Sequence, residues 1–334
     1  MVVLPAWSGA VEKEPGHRLV VVVGAGGESE YGESFAAMEK QWRETAERAG
    51  ATYHSIGVGE SPGGRNDREA LEGYLGEVAG RNGETLWLVL LGHGTFDGVE
   101  AKYNLRGPDL TAGDLTAWLE PKKGNLIVIN TTSSSAPFLP LLAGPGRIII
   151  TATKSAHEIF YTRFGEYFVA ALAAPAADID RDGQTSLLES FLTAARQVEE
   201  EYAEKGLLAT EHAILDDNGD GRGTRADWFR GVRAEKKAGG GLPDGLRAHQ
   251  VHLDPSKEER LFPPDLRRRR DAFELEVVEL RYRREELGEE AYYEALENIF
   301  REIAIIYREA EARRMGEEPV FPVPKPLSGG SDDR

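Results

Sequence analysis

The sequence predicts an α/β fold with a parallel sheet between two layers of helices, followed by a C-terminal helical hairpin. Two patterns lead to this prediction. Short, continuously apolar segments bounded by turn residues alternate with amphipathic segments of helical length, as in sheets of buried parallel strands. Near the C-terminus, apolar residues instead recur in a heptad pattern, which indicates a pair of packed helices.

The predicted elements follow in chain order. Strands are expected at residues 19–23, 51–56, 86–91, 126–129, 147–151 and 209–215. Helices are expected at residues 35–49, 67–79, 114–119, 158–173 and 187–202, with a hairpin at 95–110. Gly50 ends the first helix, and Thr111 or Asp114 caps the third. The helix at 158–173 carries aromatic residues at a core-facing spacing, namely Phe160, Tyr161, Phe164, Tyr167 and Phe168.

The composition excludes several classes of function. The chain has 334 residues and a net charge of −17, which argues against nucleic acid and anionic membranes as partners. It contains no cysteine, so disulfides, thiolate metal sites and cysteine nucleophiles are excluded. No apolar stretch is long enough to predict a membrane span.

Changes in composition predict five segments. Residues 1–17 are expected to be a flexible N-terminus or the remnant of a secretory signal, and residues 18–230 the α/β domain. Residues 231–256 are glycine-rich and predict a linker, residues 257–315 a coiled-coil hairpin that could dock a protein partner, and residues 316–334 a disordered tail. The signal-like start favours an extracytoplasmic location but leaves a cytoplasmic one open.

The third and fourth predicted strands each run directly into polar residues. His93 follows the third strand within Gly92-His93-Gly94, and Thr132 lies in the hydroxyl-rich run 131–135 after the fourth. Ligands and reacting groups of a parallel sheet lie beyond the carboxyl ends of its strands. The sequence therefore predicts one crevice that holds a histidine base beside a hydroxyl nucleophile.

These two turns resemble the caspase, legumain and gingipain group of cysteine peptidases. That group places its histidine in a turn like Gly92-His93-Gly94 and its cysteine just after the next strand. Here the second turn reads Asn130-Thr131-Thr132-Ser133-Ser134-Ser135, so Thr132 stands at the cysteine position. The resemblance covers roughly residues 18–224 and implies a caspase-like sandwich. The segment that begins at Thr210-Glu211-His212 also resembles bacterial legumain-like members.

The resemblance leaves two functional hypotheses. In the first, the chain is an inactive peptidase homologue that binds a peptide or protein in the crevice or acts as a scaffold. A threonine hydroxyl is a much weaker acid than a thiol, and a site shaped around sulfur does not align a base on it. In the second, the chain is an active hydrolase with Thr132 or a neighbouring serine as nucleophile and His93 as base.

Residues 178–189 predict a calcium site of the EF-hand kind. Ca²⁺ prefers six to eight oxygen ligands, and the loop spaces carboxylates at positions 1, 3, 5 and 12 with glycine at position 6. The candidate ligands are Asp178, Asp180, Asp182, Gln184 and Glu189. A weaker second loop offers Asp216, Asn218 and Asp220. A metal-free acidic turn is the alternative for both loops.

Two other kinds of site are disfavoured. The first strand ends in a glycine-rich turn, but Ser29 stands where a dinucleotide-binding fingerprint has its third glycine. His249 and His252 are close in sequence, yet no third zinc ligand is evident near them.

Overall fold

The computed structural model describes residues 16–59, 62–81 and 83–317 and divides the chain into two compact units. The first unit ends at Ser256 and the second begins at Lys257. Most of the predicted flexible N-terminus (1–15) and of the predicted tail (318–334) lies outside the described residues. No helix of the described chain is long and apolar enough to cross a membrane.

The strands are short, and the two at the centre of the main sheet, residues 85–91 and 126–130, are wholly buried. They are β1 (His17–Val23), β2 (Thr52–Ile56), β3 (Thr85–Leu91), β4 (Gly94–Phe96), β5 (Ala101–Tyr103), β6 (Leu110–Thr111), β7 (Leu126–Asn130), β8 (Arg147–Thr151), β9 (Ile214–Asp216), β10 (Thr224–Arg225), β11 (Phe229–Arg230) and β12 (Arg233–Ala234).

The helices alternate with the strands in the first unit and dominate the second. They are α1 (Ser29–Ala49), α2 (Asp67–Val78), α3 (Ala112–Trp118), α4 (Phe138–Leu142), α5 (Phe164–Ala171), α6 (Leu187–Glu204), α7 (Leu246–Gln250), α8 (Lys257–Leu261), α9 (Pro264–Tyr282), α10 (Arg284–Leu287) and α11 (Glu289–Met315). Reciprocal capping boxes begin α2, α3 and α6, so both predicted residues, Thr111 and Asp114, take part in capping α3.

The predicted fold class is confirmed by the central sheet, which has the strand order β10-β9-β8-β7-β3-β1-β2. Strands β2, β1, β3, β7 and β8 are parallel, whereas β9 and β10 form an antiparallel edge. Alternate residues of each strand enter two cores, because side chains alternate across a sheet. One core includes Trp42 of α1 and Phe168 of α5, and the other includes Leu71 of α2 and Leu115 of α3.

The topology brings the two predicted turns together. Strands β3 and β7 are adjacent and parallel, and Leu90 pairs with Asn130 at their carboxyl ends. His93 and the run 131–135 therefore leave the same edge of the sheet from neighbouring strands. A small antiparallel sheet, β4-β5-β6, follows His93 directly.

The prediction of a linker at residues 231–256 differs from the structure, which places this segment within the first unit. Ala248 and Leu253 are buried in its core. The backbone N–H groups of Gly245 and Ala248 donate to the carboxylate of Asp217, at 2.9 and 2.8 Å. A buried acid thus anchors a segment whose glycine content alone indicates flexibility.

The second unit is a helical hairpin in which α9 and α11 run antiparallel. Its small core joins Leu266 of α9 to Ile306 and Ala310 of α11. At the same end, Arg313 donates to both oxygens of Asp265. A regular coiled-coil geometry for this hairpin stays a prediction.

Candidate functional site

His93 lies between the end of β3 and the start of β4, and aromatic side chains surround its ring. The ring centroid lies 4.8 Å from that of Tyr31, 5.2 Å from that of Phe35 and 6.0 Å from that of Tyr161. The imidazole makes no hydrogen bond to any residue that the structure describes, whereas the backbone carbonyl accepts from Asn104 N at 3.0 Å. His93 is therefore held by ring packing and by its backbone.

The turn after β7 packs directly against the backbone of Gly94. Gly94 N donates to Ser133 Oγ at 3.1 Å, and Ser133 Oγ donates to the carbonyl of Gly94 at 2.9 Å. A Cβ on residue 94 would lie 2.1 Å from the carbonyl oxygen of Ser133 and 2.9 Å from Thr132 Oγ1. This close approach of two turns requires glycine at position 94.

Thr132 does not pair with His93. Its side chain is fully buried, and Oγ1 donates to Asn130 Oδ1 at 2.8 Å, with a longer contact of 3.2 Å to the carbonyl of Ser133. The backbone N–H of Thr132 donates to the same Asn130 Oδ1, at 3.1 Å. The structure therefore brings the two predicted turns together without forming the predicted base–nucleophile hydrogen bond.

The other hydroxyls of the run 131–135 are also buried. Thr131 Oγ1 donates to the carbonyl of Leu90 at 2.8 Å, and Ser135 Oγ lies 3.0 Å from Thr153 Oγ1. Ser134 differs, since its φ is 52° and its buried Oγ has no hydrogen-bond partner among the described residues. The run 131–135 is thus a buried turn, here called the hydroxyl turn. Among the described residues of this turn, only Ser134 has a hydroxyl without a hydrogen-bond partner.

A groove of about 390 Å³ opens beside the aromatic group around His93. Tyr31 and Tyr161 line it together with charged side chains, among them Arg163. Tyr161 Oη donates to Glu166 Oε1 at 2.5 Å, and burial together with this hydrogen bond raises the pKa of Tyr161. The tyrosine hydroxyl therefore stays protonated and holds the ring at the wall of the groove.

The predicted aromatic helix at 158–173 is shorter than expected, because α5 begins only at Phe164. Phe164 and Phe168 are buried as predicted, but Phe160 is 63% exposed and Tyr161 lies beside His93. Tyr161 was not predicted as a site residue from the sequence. The signal was its position after β8, whose carboxyl end lies at the same edge of the sheet as His93.

Glu158 contacts both the hydroxyl turn at residues 131–135 and His212, which precedes the edge strand β9. Its carbonyl accepts Ser134 N at 2.8 Å, and its carboxylate lies 2.6 Å from His212 Nδ1. The same carboxylate accepts Lys154 N at 2.9 Å. Glu158 and His212 therefore fix the loop that carries Tyr161.

Glu211 caps the start of α5 from a buried position. Its carboxylate accepts the backbone N–H groups of Arg163 and Phe164, at 2.9 and 3.0 Å. Burial raises the pKa of Glu211 from 4.5 to about 7, because the charged form loses its hydration. The folded state therefore binds this proton more tightly than the unfolded chain does.

The raised pKa of Glu211 gives a pH dependence of stability. Its contribution is fully present below about pH 4.5 and is lost as the pH rises through about 7. We expect Glu211 to lower the free energy of unfolding by about 2 kcal/mol between pH 5 and pH 8. Glu211→Gln should remove this part of the dependence in urea titrations across that range, whereas the exposed Glu120→Gln should retain it. An unchanged slope in Glu211→Gln contradicts the assignment.

Comparison with known proteins adds two distant structural similarities. No family model and no curated protein matches the chain. Among the solved structures that are similar to it are two caspases. The Drosophila initiator caspase Dronc is 13% identical, with a TM-score of 0.41 over 63% of this chain and 81% of that chain. The caspase drICE is 7% identical, with a TM-score of 0.40 over 62% and 89%.

The first predicted calcium loop gathers three carboxylates. Ligand atoms of Asp178, Asp180 and Asp182 lie within 4.8 Å of one another. Among the described residues, no other set of three acidic or histidine side chains is gathered so closely. Arg181 and Gly183 turn the chain around them with φ values of 65° and 91°. These carboxylates could contribute three oxygen ligands to one cation.

The two remaining candidates of this loop have other contacts. Glu189 accepts the N–H of Ile179 at 2.7 Å and that of Ser186 at 2.8 Å, and it is buried as part of the α6 capping box. Gln184 Nε2 donates to Asp182 Oδ2 at 3.1 Å, and Gln184 Oε1 accepts Ser256 N at 3.1 Å. In this structure the three aspartates are therefore gathered together, whereas Glu189 caps α6.

The second loop is built around a buried Asp216. Its carboxylate accepts the N–H groups of Gly219 and Gly221, at 2.9 and 2.6 Å. Asn218 Oδ1 accepts Asp220 N at 2.8 Å, and Asp220 Oδ1 accepts Arg222 N at 2.8 Å. Each of the three candidates therefore accepts at least one hydrogen bond from the turn itself.

Two acids that the sequence analysis missed support this second loop. Asp244 accepts the N–H of Asp217 at 3.0 Å and the hydroxyl of Thr224 at 2.6 Å. Burial raises the pKa of Asp217 to about 6 and that of Asp244 to about 7. Asp217 could be noticed beside Asp216, but the composition around Asp244 gave no signal.

Proposed function

We propose that the chain is a homologue of caspase- and legumain-like peptidases that binds peptides without cleaving them. The proposal rests on one observation: Thr132 Oγ1 is buried and donates to Asn130, so it has neither access to substrate nor a hydrogen bond to His93. The layout of the two turns supports the relationship, and the hydrogen-bonding of Thr132 supports the loss of activity.

The chemistry of the hydroxyl supports the same conclusion. A nucleophilic hydroxyl needs a base within hydrogen-bond reach, because its own pKa is far above neutrality. In this structure the acceptor of the Thr132 proton is the amide oxygen of Asn130, which is not a base. Threonine at this position therefore stabilises the turn.

The groove beside His93 is the proposed site for an extended peptide. Tyr31 and Tyr161 offer ring faces, and Phe160 lies exposed at the rim. Arg163 and Glu201 form an ion pair of 3.2 Å in the wall, so charges of both signs are present for backbone groups and side chains. Fixed polar groups beside aromatic faces are the features that orient a ligand in such a groove.

Calcium binding at the 178–189 loop is a second part of the proposal. Three carboxylates within 4.8 Å repel one another, and a cation would remove that repulsion. Asp180 Oδ2 lies 2.9 Å from His249 Nε2, so calcium would compete with this contact. An extracytoplasmic location, where calcium-binding modules are common, belongs to the same proposal.

The alternative is an active hydrolase, and one observation favours it. The hydroxyl of Ser134 is orphaned in a residue of positive φ, which is a strained conformation of the kind seen at reactive turns. A rearrangement of the turn that exposed Ser134 to His93 would be needed for catalysis.

The two readings differ in peptide cleavage. We expect purified protein to show no turnover of a peptide library above that of its His93→Ala variant, with or without calcium. Thr132→Cys places a thiol in the same buried position, so the expected result is little labelling by thiol reagents in the folded protein, unchanged by His93→Ala, and full labelling after denaturation. Because the chain has no cysteine, unmodified protein is the background for this labelling. Turnover lost in both His93→Ala and Ser134→Ala would establish the hydrolase instead.

A further inference from the structure

One face of α11 exposes a row of apolar side chains. Tyr293, Phe300 and Tyr307 are 53%, 51% and 50% exposed, and Leu296 and Ala304 lie between them. The five residues are spaced by three, four, four and three, so they form one stripe along the helix, here called the α11 stripe. It borders a surface groove of about 510 Å³.

The α11 stripe lies beside the face that packs on α9, and its Tyr307 ring also touches the hairpin core, 5.4 Å from the ring centroid of Phe262. The buried residues of α11 are Tyr292, Ile306 and Ala310, which point to another side of the helix. An aromatic side chain buries roughly 150–250 Å² when covered, so three half-exposed rings leave roughly 300 Å² of apolar surface open. A patch of this size is comparable to the largest apolar patch on a typical monomer, which is often functional.

We propose that the α11 stripe pairs with the same stripe of a second copy in an antiparallel, two-fold symmetric contact. The sequence of the stripe is symmetric about Phe300: Tyr293 and Tyr307 lie seven residues to either side, and Leu296 and Ala304 lie four. With Phe300 at the two-fold axis, Tyr293 of each copy lies level with Tyr307 of the other copy. Each large leucine lies level with a small alanine, as interdigitating helices require.

Charge on one flank of the stripe supports the antiparallel arrangement. Glu297 and Arg301 both border the groove, and within one helix Arg301 donates to Glu297 at 2.5 Å. In the antiparallel register, Glu297 of one copy lies about 3 Å along the axis from the level of Arg301 of the other. A parallel two-fold pair would place the two Glu297–Arg301 flanks on opposite sides of the contact, so it offers no such pairing across the axis.

The area and the architecture of the hairpin favour a second copy as the partner. Two stripes of roughly 300 Å² with their flanking residues approach the roughly 1,000 Å² that a specific interface needs. The hairpin itself buries only a small core around Leu266. Two hairpins joined through α11 form a four-helix bundle, in which each α11 buries two apolar faces.

The oligomeric state of the full chain tests this proposal. Sedimentation equilibrium should show a reversible dimer at micromolar concentration. Phe300→Glu places two carboxylates at the two-fold axis and should weaken the dimer at least about thirtyfold. Val99→Glu makes the same change at a 92%-exposed residue of the first unit and should leave the dimer intact. A wild-type chain that stays monomeric, or a Phe300→Glu dimer of unchanged affinity, overturns the proposal.

The register is tested by cross-linking and by charge exchange, since the chain has no cysteine of its own. On oxidation, Phe300→Cys should form a covalent dimer, and Tyr293→Cys should cross-link to Tyr307→Cys but not to itself. Glu297→Arg should weaken the dimer, and the double variant with Arg301→Glu should restore it. Self-cross-linking of Tyr293→Cys, or failure of the double variant to restore the dimer, overturns the antiparallel pairing.

Discussion

Gly94→Ala is expected to lower the free energy of unfolding of the first unit by at least about 3 kcal/mol. The added Cβ would meet the carbonyl oxygen of Ser133 at 2.1 Å, which is far inside normal contact distance. That oxygen belongs to the backbone of a buried turn, so no side-chain rotation relieves the clash. The two turns after β3 and β7 must separate, and the hydrogen bonds between Gly94 and Ser133 are lost.

Gly76→Ala is the matched control for this substitution. Gly76 lies in α2, where an added Cβ meets nothing within 4 Å. Alanine there should stabilise the protein by about 0.5–1 kcal/mol, because glycine is a poor helix former. Urea denaturation of both variants measures the difference. A Gly94→Ala variant as stable as wild type would show that the close approach of the two turns is not tight.

The Gly94 prediction bears on the meaning of the Gly92-His93-Gly94 turn. Its likeness to a peptidase signature suggests catalysis, but the structure supplies a steric reason for its second glycine. Gly92 is also confined, since a Cβ there would lie 3.1 Å from the ring of Tyr103, and its φ of 151° is one that side chains rarely adopt. The glycines of this turn are therefore required by packing whether or not His93 takes part in chemistry.

The sequence predicted the sheet well because its strands are continuously apolar and end abruptly in polar residues. Strands β3 and β7 could be predicted for this reason. Their adjacency agrees with the tendency of strands that are consecutive in the predicted sheet to lie next to each other. A helix start could be predicted where capping residues stood, as at Thr111 and Asp114. These signals are local, so they can be recognised in a single amino-acid sequence.

Contacts between distant residues could not be read in the same way. The start of α5 depends on Glu211, which reaches back to Arg163 across 48 positions of the chain. The packing of residues 231–256 depends on Asp217 and its distant N–H partners. The direction of the Thr132 hydroxyl is set by Asn130, although the two turns alone suggested His93 as its partner. Polar partners depend on the tertiary fold and leave no periodic pattern.

Calcium is expected to raise the melting temperature of the first unit by several degrees. A ligand at one hundred times its Kd stabilises the folded state by about 2.7 kcal/mol, and each kcal/mol corresponds to about 2–4 °C in a unit of this size. The proposed ligands Asp178, Asp180 and Asp182 already converge, so binding requires chiefly that Asp180 give up its contact with His249. Asp180→Ala removes one of the three and should abolish most of the shift between calcium and chelator at fixed ionic strength.

A substitution at Glu189 distinguishes the effect of losing a helix cap from the effect of losing a calcium ligand. Its carboxylate accepts the N–H groups of Ile179, Asp180 and Ser186 and the hydroxyl of Ser186, all in a buried capping box. Glu189→Ala leaves these donors unpaired and should destabilise the protein by about 2–4 kcal/mol even in chelator.

Asp180→Ala should instead lose only about 1 kcal/mol or less when chelator is present, because its contacts with His249 and Asp182 N lie at the surface. Asp109→Ala, which removes an exposed carboxylate elsewhere in the first unit, should keep the full calcium shift. The measurement is a melting curve of each variant in calcium and in chelator at equal ionic strength. If wild-type protein melts at the same temperature in both, the three aspartates form an acidic turn without metal. If Glu189→Ala loses the calcium shift yet equals wild type in chelator, then Glu189 leaves its cap to bind the ion.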